Sequence, residues 1–206
     1  MEKKNIDTII FDLGNVLIDW NPLYLYKNLF EQEEEMNYFF QNICTSDWNE
    51  EQDAGRTLKE GTELLVSQFP DHKTYIEAYY GRWEEMLKGE IRESVEILTK
   101  IKSSSKYKLY ALTNWSDETF SIAWKRFEFL HWFEGIVVSG REKTRKPFPL
   151  IYKILLERYS IQPERALFID DNLRNIMAAK DFGIQTIHFI SPQQLKEELV
   201  EFGVSV

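Results

Sequence analysis

The feature that most constrains this chain is the run DTIIFD at residues 7–12, an apolar stretch that ends on a carboxylate and passes at once into Gly14-Asn15. A short, wholly apolar run closed by turn residues reads as a central strand leaving its sheet into a loop. Three later segments have the same form: residues 108–114 (KLYALTN), 165–171 (RALFIDD) and 183–188 (GIQTIH), with 135–139 (GIVVS) as a weaker fifth. Helical patterns separate or follow them over 118–130, 149–159, 173–182 and 192–202. Strands alternating with helices of this length predict an α/β chain, a doubly wound and mostly parallel sheet with helices on both faces.

Residues 19–89 break that rhythm. They offer no convincing buried strand, yet are dense in aromatics such as Tyr24, Tyr26, Phe30, Phe39, Phe40, Trp48, Tyr79 and Trp83. Apolar positions at helical spacing, such as Tyr79, Trp83 and Met86, predict helices over 22–30, 33–43, 58–68 and 73–87. The expected organisation is therefore a core of residues 1–18 and 90–206 and a helical cap of residues 19–89. Inserted directly after the first strand, such a cap hangs over that strand's carboxyl end.

Composition narrows the function classes. A chain of 206 residues with 43% hydrophobic side chains can bury a sizeable core. Its 34 acidic and 25 basic residues give a net charge of -9, which opposes non-specific attraction to nucleic acid or anionic lipid. The one basic concentration, Arg141, Lys143, Arg145 and Lys146, has no aromatics interleaved for stacking on bases. Cys44 is the single cysteine and reads as a quiet buried thiol, the start MEKKNID is no signal peptide, and no apolar run approaches a membrane span. A cytoplasmic protein, monomeric by default, is the expectation. His72, His131 and His188 are scattered, so no histidine–cysteine set is available for zinc.

In parallel sheets ligands bind outside the carboxyl ends of the strands. Those ends carry Asp12, then Thr113 and Asn114, then Asp170 and Asp171. Three carboxylates converging on one crevice repel one another and require a cation, and a hard ion such as Mg²⁺ suits carboxylate, water and phosphate oxygens. An aspartate can attack phosphorus and carry the phosphoryl group as an acyl phosphate, provided positive charge offsets the meeting of two anions. Lys146, in REKTRKPFP before a helix, is the candidate fixed cation, against the reading of an exposed lysine in a charged loop. The Thr113 hydroxyl and the Asn114 side chain are candidate donors to phosphate oxygens.

These residues lie in four patterns in fixed order: FDLGNVL (11–17), LTN (112–114), RKP (145–147) and FIDDNLRN (168–175). In them the chain resembles the haloacid dehalogenase-like (HAD) hydrolase superfamily over nearly its whole length. The resemblance implies a Rossmann-like core with a helical cap and Asp12 as nucleophile and Mg²⁺ ligand. It implies Thr113 and Asn114, with Gly14 and Asn15, as phosphate binders, and Lys146 as the cation that supports nucleophile and phosphate. Asp171 becomes the main second metal carboxylate, Asp170 a ligand directly or through water, and Asn175 a support for the lysine. The nearest subgroup is similar to bacterial sugar phosphatases of the alpha-glucose-1-phosphatase type, which share FDLGNV. The implied reaction is Mg²⁺-dependent hydrolysis of a small phosphorylated metabolite through an aspartyl-phosphate.

Gly14 departs from the pattern. Most phosphatases of this superfamily place a second Asp two residues after the nucleophile, where it protonates the leaving alcohol and then activates water. Gly14 can offer a metal its backbone carbonyl but no proton, a loss of roughly 10² to 10⁴ in rate where such catalysis is otherwise used. A haloacid dehalogenase also lacks that second Asp, but has no use for the metal-binding pair Asp170-Asp171. A phosphomutase depends on it more strongly still, and a catalytically weak binding or regulatory protein remains the alternative from another class. Asp19, Trp20, Trp48 and Arg56 of the cap and Trp115 after the second motif are candidates to line the crevice and choose the substrate.

Overall fold

The computed structural model describes residues 6–205. The first apolar run becomes β1 (Thr8–Phe11), followed by a short β2 (Ile18–Trp20). A helical insert then runs through α1 (Leu23–Tyr26), α2 (Glu33–Asn42), α3 (Ser46–Asp53), α4 (Leu58–Gln68) and α5 (Lys73–Gly81). The chain returns through β3 (Leu87–Glu90), α6 (Arg92–Ser104) and β4 (Lys108–Thr113). It continues with α7 (Asp117–Arg126), β5 (Gly135–Val138), α8 (Ser139–Glu142), α9 (Pro149–Arg158) and β6 (Ala166–Asp170), and ends with α10 (Leu173–Asp181), β7 (Gln185–His188) and α11 (Pro192–Glu201).

The main sheet has the order β5-β4-β1-β6-β7, and every adjacent pair is parallel. Successive strand residues point to opposite faces, so each wholly apolar strand feeds two cores. Ile9, Phe11, Leu109, Leu167 and Ile169 pack with α6 and α11 through Leu98, Ile101, Leu195 and Leu199. Ile10, Tyr110, Leu112, Val137 and Phe168 pack with α9 and α10 through Ile151, Tyr152, Leu155 and Ile176. The doubly wound arrangement expected from the strand–helix alternation is the one observed.

Three helices have no counterpart among those expected from the sequence pattern: α3, α6 and the four-residue α8. Helix α6 buries Val95, Leu98 and Ile101 on one face, a plain helical period. Helix α3 buries only Trp48 and Gln52 and is otherwise polar, and its N-terminus is set by the Thr45 hydroxyl accepting from the Trp48 N–H. The expected helix over 73–87 stops at Gly81, and after a 3₁₀ turn the chain enters β3, which pairs antiparallel with β2. This two-stranded stem joins insert to core, and both boundaries expected from sequence fall inside it.

The insert packs on its aromatics. Tyr26 meets Phe39 and Phe40 at ring-centroid distances of 5.2 and 4.9 Å, and its hydroxyl donates to the Tyr75 carbonyl at 2.7 Å. These rings belong to the same continuous apolar cluster as Ile9 and Phe11. Cys44 is buried there, and burial pushes its thiol well above the ordinary value, as expected of an inert cysteine.

Candidate active site

With β1 at the centre, its neighbours β4 and β6 bring their carboxyl ends beside its own. The pairings Phe11 with Ala111 and Phe11 with Ile169 place Asp12 level with Leu112 and Asp170. The Asp12 N–H donates to the Ile169 carbonyl at 2.8 Å, which fixes the backbone one residue beyond the strand. One carboxylate oxygen each from Asp12, Asp170 and Asp171 lie within 4.8 Å of one another. Among the described residues this is the one group of at least three acidic, histidine or cysteine side chains able to share a metal ion.

Lys146 is buried, not exposed in its charged loop, and all three of its ammonium protons are taken. Nζ donates to Asp170 Oδ2 at 2.6 Å, to the Leu112 carbonyl at 2.9 Å and to Asp12 Oδ1 at 3.0 Å. Asn114 holds that lysine from behind, because its side chain accepts from the Lys146 N–H at 2.8 Å and donates to the Lys146 carbonyl at 2.9 Å. The amide expected to bind phosphate thus also positions the lysine, and uses one of its two N–H groups to do so. Asn175 donates to both oxygens of Asp170 at 3.0 and 3.1 Å. It supports the lysine at one remove, through the carboxylate that the lysine grips.

Asp12 Oδ1 also accepts from the Leu13 N–H at 2.7 Å, so the protein occupies one oxygen of Asp12 and leaves Oδ2 without a partner among the described residues. The Thr113 hydroxyl is likewise without one, although the residue is buried. Asn15 stands in the left-handed region at φ 55°, which asparagine tolerates. The backbone carbonyl of Asp171 is met by His188 Nε2 at 2.9 Å.

Burial pushes the Asp12 carboxyl up to about 7, opposed by the Lys146 ammonium and reinforced by the charges of Asp170 and Asp171. Burial and Asp170 also raise Asp171. Three carboxylates against one ammonium leave an excess of two negative charges, the charge that one divalent cation offsets. The oxygen-only donor set and this excess fit Mg²⁺, which Asp12, Asp170 and Asp171 could hold between them.

The crevice next to this centre is a cavity of about 70 Å³ lined by core and insert together. The core contributes Gly14, Asn114, Trp115, Ser116 and Thr119, and the insert side contributes Asn49, Asp53, Tyr80 and Trp83, with Trp20 at the stem. Trp20 and Trp115 therefore line it, as the sequence suggested, and the Trp20 indole N–H is buried with no partner among the described residues. Trp48 and Arg56 serve the interior of the insert instead: Trp48 Nε1 donates to the Gly61 carbonyl at 3.1 Å and Arg56 to the Trp48 carbonyl at 3.0 Å. Asp19 is held by the Tyr24 hydroxyl at 2.8 Å. Asn49 and Asp53 escaped the sequence reading along with α3, whose available signal was the Thr45 cap followed by acidic Asp47 in the first turn.

Three of the four residues of the basic run are spent on ion pairs. Arg141 meets Asp117 at 2.6 Å, Arg145 meets Glu50 at 2.8 Å, and Lys146 belongs to the centre. No helix among the described residues is long and apolar enough to cross a membrane.

Fold and site together define a doubly wound α/β protein with a carboxylate–lysine centre at its strand ends, covered by a helical insert. The chain belongs to the haloacid dehalogenase-like hydrolase family, whose profile matches residues 9–189. It is 27% identical over 193 residues to a phosphorylated carbohydrates phosphatase of Thermotoga maritima, covering 89% of this chain and 84% of that protein. It is 24% identical to the pyrophosphatase PpaX of Bacillus velezensis, over 90% of this chain and 84% of the relative. Among solved structures, a HAD family enzyme of Bacteroides thetaiotaomicron in complex with magnesium and inorganic phosphate superposes with a TM-score of 0.68. It shares 27% identity, over 88% of this chain and 93% of the other.

Proposed function

We propose that this protein is a Mg²⁺-dependent phosphomonoesterase for a small phosphorylated metabolite, with a sugar phosphate as the first candidate, and that it works through an aspartyl-phosphate on Asp12. The observation that carries this reading is the Lys146 ammonium held between Asp12 and Asp170 with Asp171 alongside, since such a centre serves an anionic nucleophile meeting an anionic substrate. The phosphatases among the relatives and the phosphate complex of the Bacteroides enzyme support the same choice. Mg²⁺ held by Asp12, Asp171, Asp170 and the Gly14 carbonyl supplies charge neutralisation for nucleophile and phosphate.

The chain's own groups divide the remaining work. Leu13 N–H and Lys146 occupy Asp12 Oδ1, which directs Oδ2 at phosphorus. Lys146 stabilises the charge that collects on the nucleophile, and it cannot drift because Asn114 holds its peptide on both sides. The free Thr113 hydroxyl donates to a phosphate oxygen. The insert acts as the cap: it excludes water from the centre and presents Trp20 and its own polar residues to the rest of the substrate.

The test is phosphate release from a panel of sugar phosphates, nucleotides, phosphorylated acids and an aryl phosphate, with Mg²⁺ and with chelator. Mg²⁺-stimulated release by the wild type, abolished in Asp12→Asn, is expected. Equal traces for wild type and Asp12→Asn on every substrate would return the chain to the class of non-catalytic binding proteins.

A further inference from the structure

Position 14 carries no side chain, yet an alcohol leaving group still needs a proton. The space beside Gly14 is open, since a Cβ built there has nothing within 4 Å. That space belongs to the crevice described above, and among its lining residues Asp53 is the one carboxylate. Asp53 is the last residue of α3, so it enters from the insert while Gly14 belongs to the core.

The Asp53 carboxyl is oriented chiefly by neutral groups. Asn49 Nδ2 donates to Oδ2 at 3.2 Å. The Asn49 amide is itself fixed, because its Oδ1 accepts from the Tyr80 hydroxyl at 2.9 Å, and that hydroxyl accepts from Gln52 at 3.1 Å. Ser116, on the core side, lines the same crevice. No lysine or arginine is hydrogen-bonded to Asp53 among the described residues, so the group is free to hold and return a proton.

We propose that Asp53 is the acid–base residue of this enzyme, delivered from the insert to the place that a second aspartate at position 14 would otherwise serve. This rests on the phosphatase reading above. In the first half-reaction Asp12 Oδ2 forms a bond to phosphorus as the bond from phosphorus to the leaving oxygen breaks, and protonated Asp53 gives that oxygen its proton. In the second, Asp53 takes a proton from a water whose oxygen attacks phosphorus. The bond from Asp12 to phosphorus breaks, and inorganic phosphate, ionised Asp12 and protonated Asp53 result. Both protons are accounted for, and water is the one co-reactant.

The electrostatic surroundings suit a group that exchanges protons near neutrality. Burial pushes Asp53 up to about 7, helped by Glu50 on the same helix and opposed by Arg145, the Ser116 backbone and Lys146 from the core. Tyr80 is the remaining titratable group in the crevice wall, and burial holds its hydroxyl neutral.

The experiment compares wild type, Asp53→Asn and the double variant Gly14→Asp/Asp53→Asn with Mg²⁺ on an alkyl phosphate and on 4-nitrophenyl phosphate. Rapid mixing separates Asp12 phosphorylation from its hydrolysis. Asp53→Asn should lose roughly 10² to 10⁴ in the phosphorylation rate on the alkyl substrate and far less on the aryl one, whose leaving group needs no proton. The pH profile of kcat/KM on the alkyl phosphate should lose its alkaline limb, and the double variant should regain alkyl activity. Near-ultraviolet circular dichroism identifies a misfolded variant, in which case the same comparison is read from Asp53→Glu, with alkyl activity expected to survive and Asp53→Ala not. An equal loss on both leaving groups with the pH profile unmoved, or a change in KM alone, overturns the proposal while the phosphatase reading stands. If the wild type releases phosphate from neither ester, both readings fall.

Discussion

Glu50 of α3 is paired with Arg145, the residue immediately before the site lysine, at 2.8 Å, with 19% and 13% of the two side chains exposed. The same carboxylate also takes Arg174 of α10 at 2.9 Å. The loop that carries Lys146 is therefore tied directly to the insert that roofs it. A pair this sheltered is worth more than one on an open surface.

Breaking it should loosen the roof while leaving the contacts of Lys146 with Asp12 and Asp170 in place. Glu50→Ala is expected to raise KM by roughly tenfold, equivalent to about 1.4 kcal/mol, with kcat changed far less. Steady-state kinetics at low and high salt check this, since the wild type should drift towards the variant as salt rises. A large fall in kcat at unchanged KM would mean that Glu50 acts on the chemistry instead.

Lys146 is the single positive charge within hydrogen-bond reach of two buried carboxylates. Removing one partner from a buried ion pair leaves uncompensated charge, at a cost of about 3–5 kcal/mol. Lys146→Met should lower the urea midpoint of the metal-free protein accordingly and abolish turnover. Retention of wild-type stability would show that the carboxylates shed their charge by taking up protons.

The Asp53 carboxyl, at about 7 in the folded chain, returns to an ordinary value near 4 on unfolding. Between about pH 4 and 7 the folded state keeps a proton that the unfolded state has lost, so stability contributed by this group falls as pH rises through that window. Asp53→Asn removes the dependence. Urea titrations of the metal-free protein should show the variant gaining on the wild type from pH 4 to pH 8, and a constant difference would contradict the assignment of that pKa.

Gly14 has open space around it, and its φ lies outside the left-handed region. Gly14→Asp alone should therefore fold normally, within about 0.5 kcal/mol of wild type by urea unfolding. A loss of several kcal/mol would mean that the loop after β1 closes more tightly on this position.

Much of this was legible in the sequence for a physical reason. A strand buried on both faces has to be apolar throughout, so the residue that ends it stands out, and Asp12, Thr113 and Asp170 could be read as strand ends. What they touch was less legible. Asn114 gives no sign in the sequence of its two bonds to Lys146, and Arg145 looks like a surface charge until Glu50 is placed opposite. Helix α3 escaped because it buries little, and a polar helix carries almost no periodic signal. Asp53 was lost with it, since a carboxylate in a polar run acquires a special environment only when the insert folds onto the core.

The place of β1 in the middle of the sheet also bears on biosynthesis. The strand that leads into Asp12 leaves the ribosome well before one of its two partners, Ala166–Asp170. At about 5–20 residues per second, the wait for that partner is on the order of ten to thirty seconds. Through that interval Thr8–Phe11 has an unpaired, strongly apolar edge. A truncation that removes β6 leaves both an exposed β1 edge and a centre without Asp170.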